Sequence, residues 1–139
     1  MDDSFDLQRF LDAQAPVYEQ VLRELRAGHK TSHWMWFVFP QAAGLGFSSM
    51  AQRYAISGRD EAAAFDAHPV LGPRLRECTA LVNAIQGRTA HEIFGSPDDL
   101  KFRSCMTLFA QCAEDASAFD AALSKYFDNE ADSLTLARL

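Results

Sequence analysis

The chain reads as all-α: one irregular bundle of about seven short helices spanning residues 1–139 as a single domain. Three observations predict this. Apolar residues recur three and four apart along most of the chain, the period of a helix buried on one face. Proline and glycine fall between those patterns, where helices start and stop. Strand signals are confined to one short run, residues 34–39.

Leu7, Phe10 and Leu11 predict a first helix over 5–14. Pro16 suits the first turn of a second, which carries Val17, Val21 and Leu25 on one stripe and Gly28 at its C-terminal cap. A third helix runs from about 48 to 56 with Ser48 as its cap, and a fourth, alanine-rich, over 60–67. Pro69 opens a longer one to about Ile85, with Val70, Leu71, Leu75, Cys78, Leu81, Val82 and Ile85 in register. Pro73 falls early enough in it for its missing N–H to cost little. Thr89 and Glu92 form a capping box for a short helix that stops near Gly95. Ser96 and Pro97 open the next, to about Cys112. Ser117 caps one bearing Phe119, Leu123, Tyr126 and Phe127, and Asp132 or Ser133 caps a last turn. The run 34–39 is too short for periodicity to decide, and a short buried strand is its alternative.

A hydrophobic share of 48% and a charged share of 23% suit a folded protein and argue against disorder. The net charge of −6 works against phosphate-backbone binding, and no Lys/Arg-rich stretch offsets it, so no nucleic-acid partner is expected. The acidic start, Met1 to Ser4, does not resemble a signal peptide, and no apolar run is long enough to span a membrane. The expected location is the cytoplasm, as a monomer or weak homodimer. Cys78, Cys105 and Cys112 make an odd set without a CxxC pair, which argues against a disulfide framework or a zinc site. His29 and His33 lack a third ligand, so no metal is expected, and no cofactor is called for.

Chemistry is best placed in residues 30–41. Both tryptophans, Trp34 and Trp36, lie there with polar neighbours at each end, ahead of Gly44 and Gly46. An apolar wall with a few convergent polar groups describes a small-molecule pocket. It equally describes core packing, which aromatic-rich runs in small domains commonly are. His33 is the candidate acid/base, since imidazole titrates near neutrality; a capping or buried histidine is the plainer reading. Around 98–104, opposite charges share one helix face. They read as solvated ion pairs, or as Lys101 and Ser104 placed to hold a phosphate.

The run His33-Trp34-Met35-Trp36-Phe37-Val38-Phe39-Pro40-Gln41, then Gly44-Leu45-Gly46, resembles a family of short bacterial proteins of unknown function. Further matches are Tyr54-Ala55-Ile56, Glu61-Ala62, His68-Pro69-Val70-Leu71-Gly72, Ile93-Phe94-Gly95, Lys101-Phe102 and Met106-Thr107-Leu108-Phe109, through to Asp132 and Thr135-Leu136. Members often carry the label calpastatin, but that inhibitor is disordered and this composition is globular. The resemblance implies a compact all-α domain with no agreed activity. The helix order also resembles, more distantly, that of NADAR N-glycosidases, which act on riboside and ADP-ribosyl compounds. Their Glu-His pair is missing here, where the comparable stretch is Ser48-Ser49-Met50-Ala51.

Two functions follow as expectations. One is binding of a nucleotide-like or ADP-ribosyl ligand, with N-glycosidic hydrolysis as the chemistry the NADAR likeness implies. Trp34 or Trp36 would stack on the base beside Tyr54, and Gln41 would orient it. Lys101 and Ser104 would meet phosphate, and His33 or Glu61 would move protons. The other is a non-catalytic protein-interaction module with an exposed apolar groove.

Overall fold

Ten helices form among residues 3–139, the residues described in the computed structural model; the Met1-Asp2 start of the acidic N-terminus lies outside them. They are α1 (Gln8–Gln14), α2 (Tyr18–Ala27), α3 (Met35–Val38), α4 (Ser49–Arg53), α5 (Arg59–Ala67), α6 (Leu71–Ala84), α7 (Ala90–Phe94), α8 (Asp98–Cys112), α9 (Ser117–Phe127) and α10 (Ser133–Ala137). The class is all-α, as the sequence predicts, with more and shorter pieces. Pairing between strands is reduced, among the described residues, to a single parallel bridge between Ala42 and Ile56.

Local chemistry sets the boundaries. Thr89 and Glu92 exchange both capping-box bonds, at 3.1 and 2.9 Å. Ser48 accepts from the Ala51 N–H, and Gly28 ends α2 at φ 72°. Several starts shift by one or two residues. α6 begins at Leu71, after Pro69, because the His68 ring nitrogen Nδ1 accepts from the N–H groups of Val70 and Leu71. Asp115 binds the amide and hydroxyl of Ser117, which is thereby the first helical residue of α9 and not its cap.

The run 34–39 is helical, not a strand: α3 is a single turn. Its position is set by Glu24, on the inner face of α2 and only 4% exposed. Its carboxylate accepts from the Thr31 amide at 2.7 Å, the Ser32 amide at 2.9 Å, Gln20 Nε2 at 2.8 Å, the Trp34 indole N–H at 3.0 Å and the Ser32 hydroxyl. Burial alone would raise this carboxyl. The bonds from Ser32, Thr31 and Gln20 outweigh it and hold the group down at about 2. The chain is thereby folded back after Gly28, and Trp34 enters the core. Gln14 Nε2 donates to the Phe37 carbonyl at 2.7 Å and ties α1 to the same turn.

One contiguous core fills the space between the helices. Phe102 of α8 stacks on Phe94 with centroids 4.7 Å apart and meets Phe39 edge-on at 5.0 Å. A second set of rings runs from Phe119 through Phe109, Phe65 and Phe10 to Tyr54. α8 packs against α5, α7, α9 and α10 and so carries most of the tertiary structure.

Two stability tests follow. Because Glu24 is held lower when folded than its ordinary 4.5, its contribution is fully present above that pH and is lost as pH falls toward 2. The stability gap between wild type and Glu24→Gln in urea unfolding should therefore be roughly 3 kcal/mol at neutral pH and narrow below pH ~4.5; a gap independent of pH would refute the assignment. The second concerns Gly72. Alanine in a helix normally gains about 1 kcal/mol over glycine, but a Cβ on Gly72 would lie 2.0 Å from the Asp66 carbonyl oxygen. Gly72→Ala should lower the melting temperature, and a rise would show that α5 and α6 can separate without cost.

Candidate functional site

Three parts of the chain meet around an open cleft of about 560 Å³. The loop 41–48 and the start of α4 form one wall. The exposed face of α8 forms the floor, with Leu100, Lys101, Arg103 and Ser104. The third wall is the turn into α10, with Asp132 and Leu134.

Each wall is fixed by the sequence that builds it. Gln41 and Ala43 bond to Ile56 through the backbone at 2.8 Å each, which anchors the loop to the chain after α4. Gly44, at φ 91°, lets the loop turn against Arg138, whose guanidinium carbon would lie 2.7 Å from an added Cβ. The turn into α10 is strapped to α8. Arg103 donates to the carbonyls of Glu130 and Ala131 at 2.8 and 3.2 Å. The Thr107 hydroxyl accepts from the Asp132 amide at 2.9 Å.

The cleft is both apolar and charged. Phe47 is 85% exposed, Leu134 65% and Leu100 57%, and all three line it. Lys101 supplies an under-neutralised cation. Its ammonium is 3.5 Å from Asp98 Oδ1, while Lys30 already pairs with Oδ2 of the same carboxylate at 2.8 Å. Two ammonium groups thus share one carboxylate. Arg103 spends its donors on backbone carbonyls and approaches Glu130 at 3.5 Å, so its role is first to hold the wall.

The sequence-predicted residues divide. Gln41, Lys101 and Ser104 line the cleft together. Trp36 is half-buried, with the Lys101 ammonium 5.4 Å from its ring centroid. Trp34 is only 1% exposed and its N–H is bound to Glu24, so no base can stack on it. Tyr54 is buried against Phe10 and Phe37. His33 is exposed on the turn before α3, and it does not line the cleft. Glu61 is buried and fully engaged: Oε2 pairs with Arg9 at 2.7 Å, and Oε1 accepts from the Ser57 amide at 3.0 Å. That Arg9 also binds the carbonyls of Arg53 and Ala55, so the pair joins α1 to the chain between α4 and α5.

Sequence reasoning missed Phe47, Leu134 and Asp132 as site residues. Phe47 carried a usable signal, an aromatic residue just after a glycine-rich turn. Asp132 was legible only as a cap. The three cysteines are free. Burial pushes the Cys78 thiol up to about 12 and the Cys105 thiol well above its ordinary value, which removes both as nucleophiles. Among the described residues, no three His, Cys, Asp or Glu side chains are placed to hold a metal ion, and no helix is long and apolar enough to cross a membrane.

Fold and cleft together define a small all-α protein with a mixed apolar and charged concavity. Residues 4–139 match the family described as protein of unknown function (DUF1810), and the chain belongs to that family. A solved structure, that of the conserved hypothetical protein Rv1873 from Mycobacterium tuberculosis at 1.38 Å, is 58% identical; the match covers 99% of this chain and 98% of that one, with a TM-score of 0.97. No curated protein matches the chain. The comparisons lend no support to the NADAR likeness or to the calpastatin label.

The placement of Glu61 has a direct test. Glu61→Gln leaves Arg9 without its partner charge in a mostly buried site, and should lower stability by about 3 kcal/mol. A variant that kept full stability would mean that Glu61 is free for another role.

Proposed function

We propose that the cleft binds a small anionic ligand with a flat ring, of the nucleotide or ADP-ribosyl class. The observation that carries this is the pairing, in one cleft, of the Lys101 ammonium with the exposed ring of Phe47. An aromatic face left in water is suited to stacking on a planar base. An ammonium sharing its carboxylate with a second lysine retains attraction for phosphate. Gln41 and Ser104 add polar groups to the same cleft, and the volume is within the usual range for a small-molecule pocket. Stacking on Phe47 takes the place expected for Trp34 or Trp36, neither of which lines the cleft. The reading is one of binding, since His33 and Glu61, the two groups proposed for proton transfer, do not line the cleft.

The exposure of Phe47, Leu100 and Leu134 on one rim favours a second reading, an interaction module that covers this face with a partner chain. The two readings diverge in calorimetry. Titration with ADP should give saturable binding. Lys101→Gln and Phe47→Ser should each weaken it about tenfold, equivalent to about 1.4 kcal/mol. Phe47 is exposed, so Phe47→Ser should move folding stability by less than about 0.5 kcal/mol; Lys101 is half-buried with an ion pair of 3.5 Å, and Lys101→Gln should cost no more than about 1 kcal/mol. No binding of ADP, AMP or ADP-ribose at millimolar concentration, together with self-association lost in Phe47→Ser, would overturn the ligand reading in favour of the module.

A further inference from the structure

We infer that Asp132 is the hydroxyl-reading group of the cleft and selects ligands that carry a vicinal diol, as ribose does. The inference rests on the cleft being a nucleotide-class site. Asp132 lines the cleft from the turn into α10. Its position is fixed by its own backbone and by one carboxylate oxygen. The amide donates to Thr107 Oγ1, and Oδ2 accepts from the Thr135 amide at 3.0 Å and the Thr135 hydroxyl at 2.5 Å. Ser104 Oγ lies 3.2 Å from the same oxygen and 3.1 Å from the Leu100 carbonyl, and its one proton serves either.

Oδ1 has no hydrogen-bond partner among the described residues, and no Lys, Arg or His nitrogen lies within ion-pair distance of either oxygen. Capping α10 uses Oδ2 alone, and a serine or threonine would meet that need. The second oxygen and the negative charge are surplus to the cap. Asp132 lines a cleft whose other charged residues, Lys101 and Arg103, are cationic. A held carboxylate oxygen with open lone pairs accepts hydroxyl protons and repels phosphate. The opposite charges of Lys101 and Asp132 therefore sort the ligand's groups: phosphate toward the ammonium, sugar hydroxyls toward the carboxylate. Sites built to bond a hydroxyl reject the analogue that lacks it far more strongly than apolar pockets do.

The experiment compares ADP with 2′,3′-dideoxyadenosine diphosphate by calorimetry on wild type and on Asp132→Asn. The asparagine oxygen keeps the cap on Thr135 and puts an amide N–H in place of the second carboxylate oxygen, so the variant folds but can no longer accept a ligand hydroxyl proton there with a charged oxygen. Wild type should bind ADP at least tenfold more tightly than the dideoxy compound. Asp132→Asn should lose that preference by weakening ADP alone, with its melting temperature confirming the fold. Equal binding of both compounds to wild type, with Lys101→Gln still weakening both, would overturn the diol assignment and leave the nucleotide reading standing. Binding of neither compound would overturn both. Equal wild-type binding of the two compounds overturns the assignment even if the variant is unstable.

Discussion

The structure depends first on a buried negative charge. Glu24 accepts hydrogen bonds from two backbone amides, a hydroxyl, a side-chain amide and an indole. An apolar residue at position 24 would take the acceptor from the Thr31 and Ser32 amides that close the turn over 28–34 and would leave the buried Trp34 indole N–H unpaired. With the turn closed, Trp34 packs on Phe39 and Phe39 meets Phe102 of α8. The chain leaving α3 is then delivered to Gln41, where the backbone bonds to Ile56 begin the loop that walls the cleft. A carboxylate on α2 thus fixes a loop that it does not touch.

α8 divides core from cleft. Phe102, Cys105, Met106 and Phe109 face inward and are fully buried, while Leu100 and Lys101 face out. Ser104 and Thr107 sit between these faces and hold the turn into α10. The floor of the cleft is thus the outer face of the most heavily packed helix, and its third wall is strapped to that same helix. Two of the three walls are thus tied to the core, which is the preorganisation that the proposed binding of a ligand would draw on.

Much of this was legible in the sequence where the determining interaction is local. The capping box of Thr89 and Glu92, the left-handed Gly28 and the cap at Asp132 each involve residues within a few positions of one another. The helical period of 70–85 likewise needs no tertiary knowledge. What was not legible rests on distant partners. The run 34–39 is helical because of Glu24, ten residues before Trp34. Trp34 is core because its N–H finds that carboxylate, and no composition rule distinguishes such an indole from one lining a pocket. Glu61 looked like a free carboxylate because Arg9, 52 residues away, is its partner. Gln41, Lys101 and Ser104 were singled out for their chemistry, and three-dimensional proximity then brought them together. Asp132 could not be singled out, since its second oxygen is distinguished only by what surrounds it.

Backbone amide chemical shifts, followed by two-dimensional NMR while ADP is added, locate the binding site residue by residue. Saturable shifts should concentrate at Gln41, Phe47, Lys101, Ser104 and Asp132, with Trp34, Tyr54 and Glu61 little changed. Shifts centred on His33 or on the buried residues, or none at millimolar ADP, would contradict binding in the cleft.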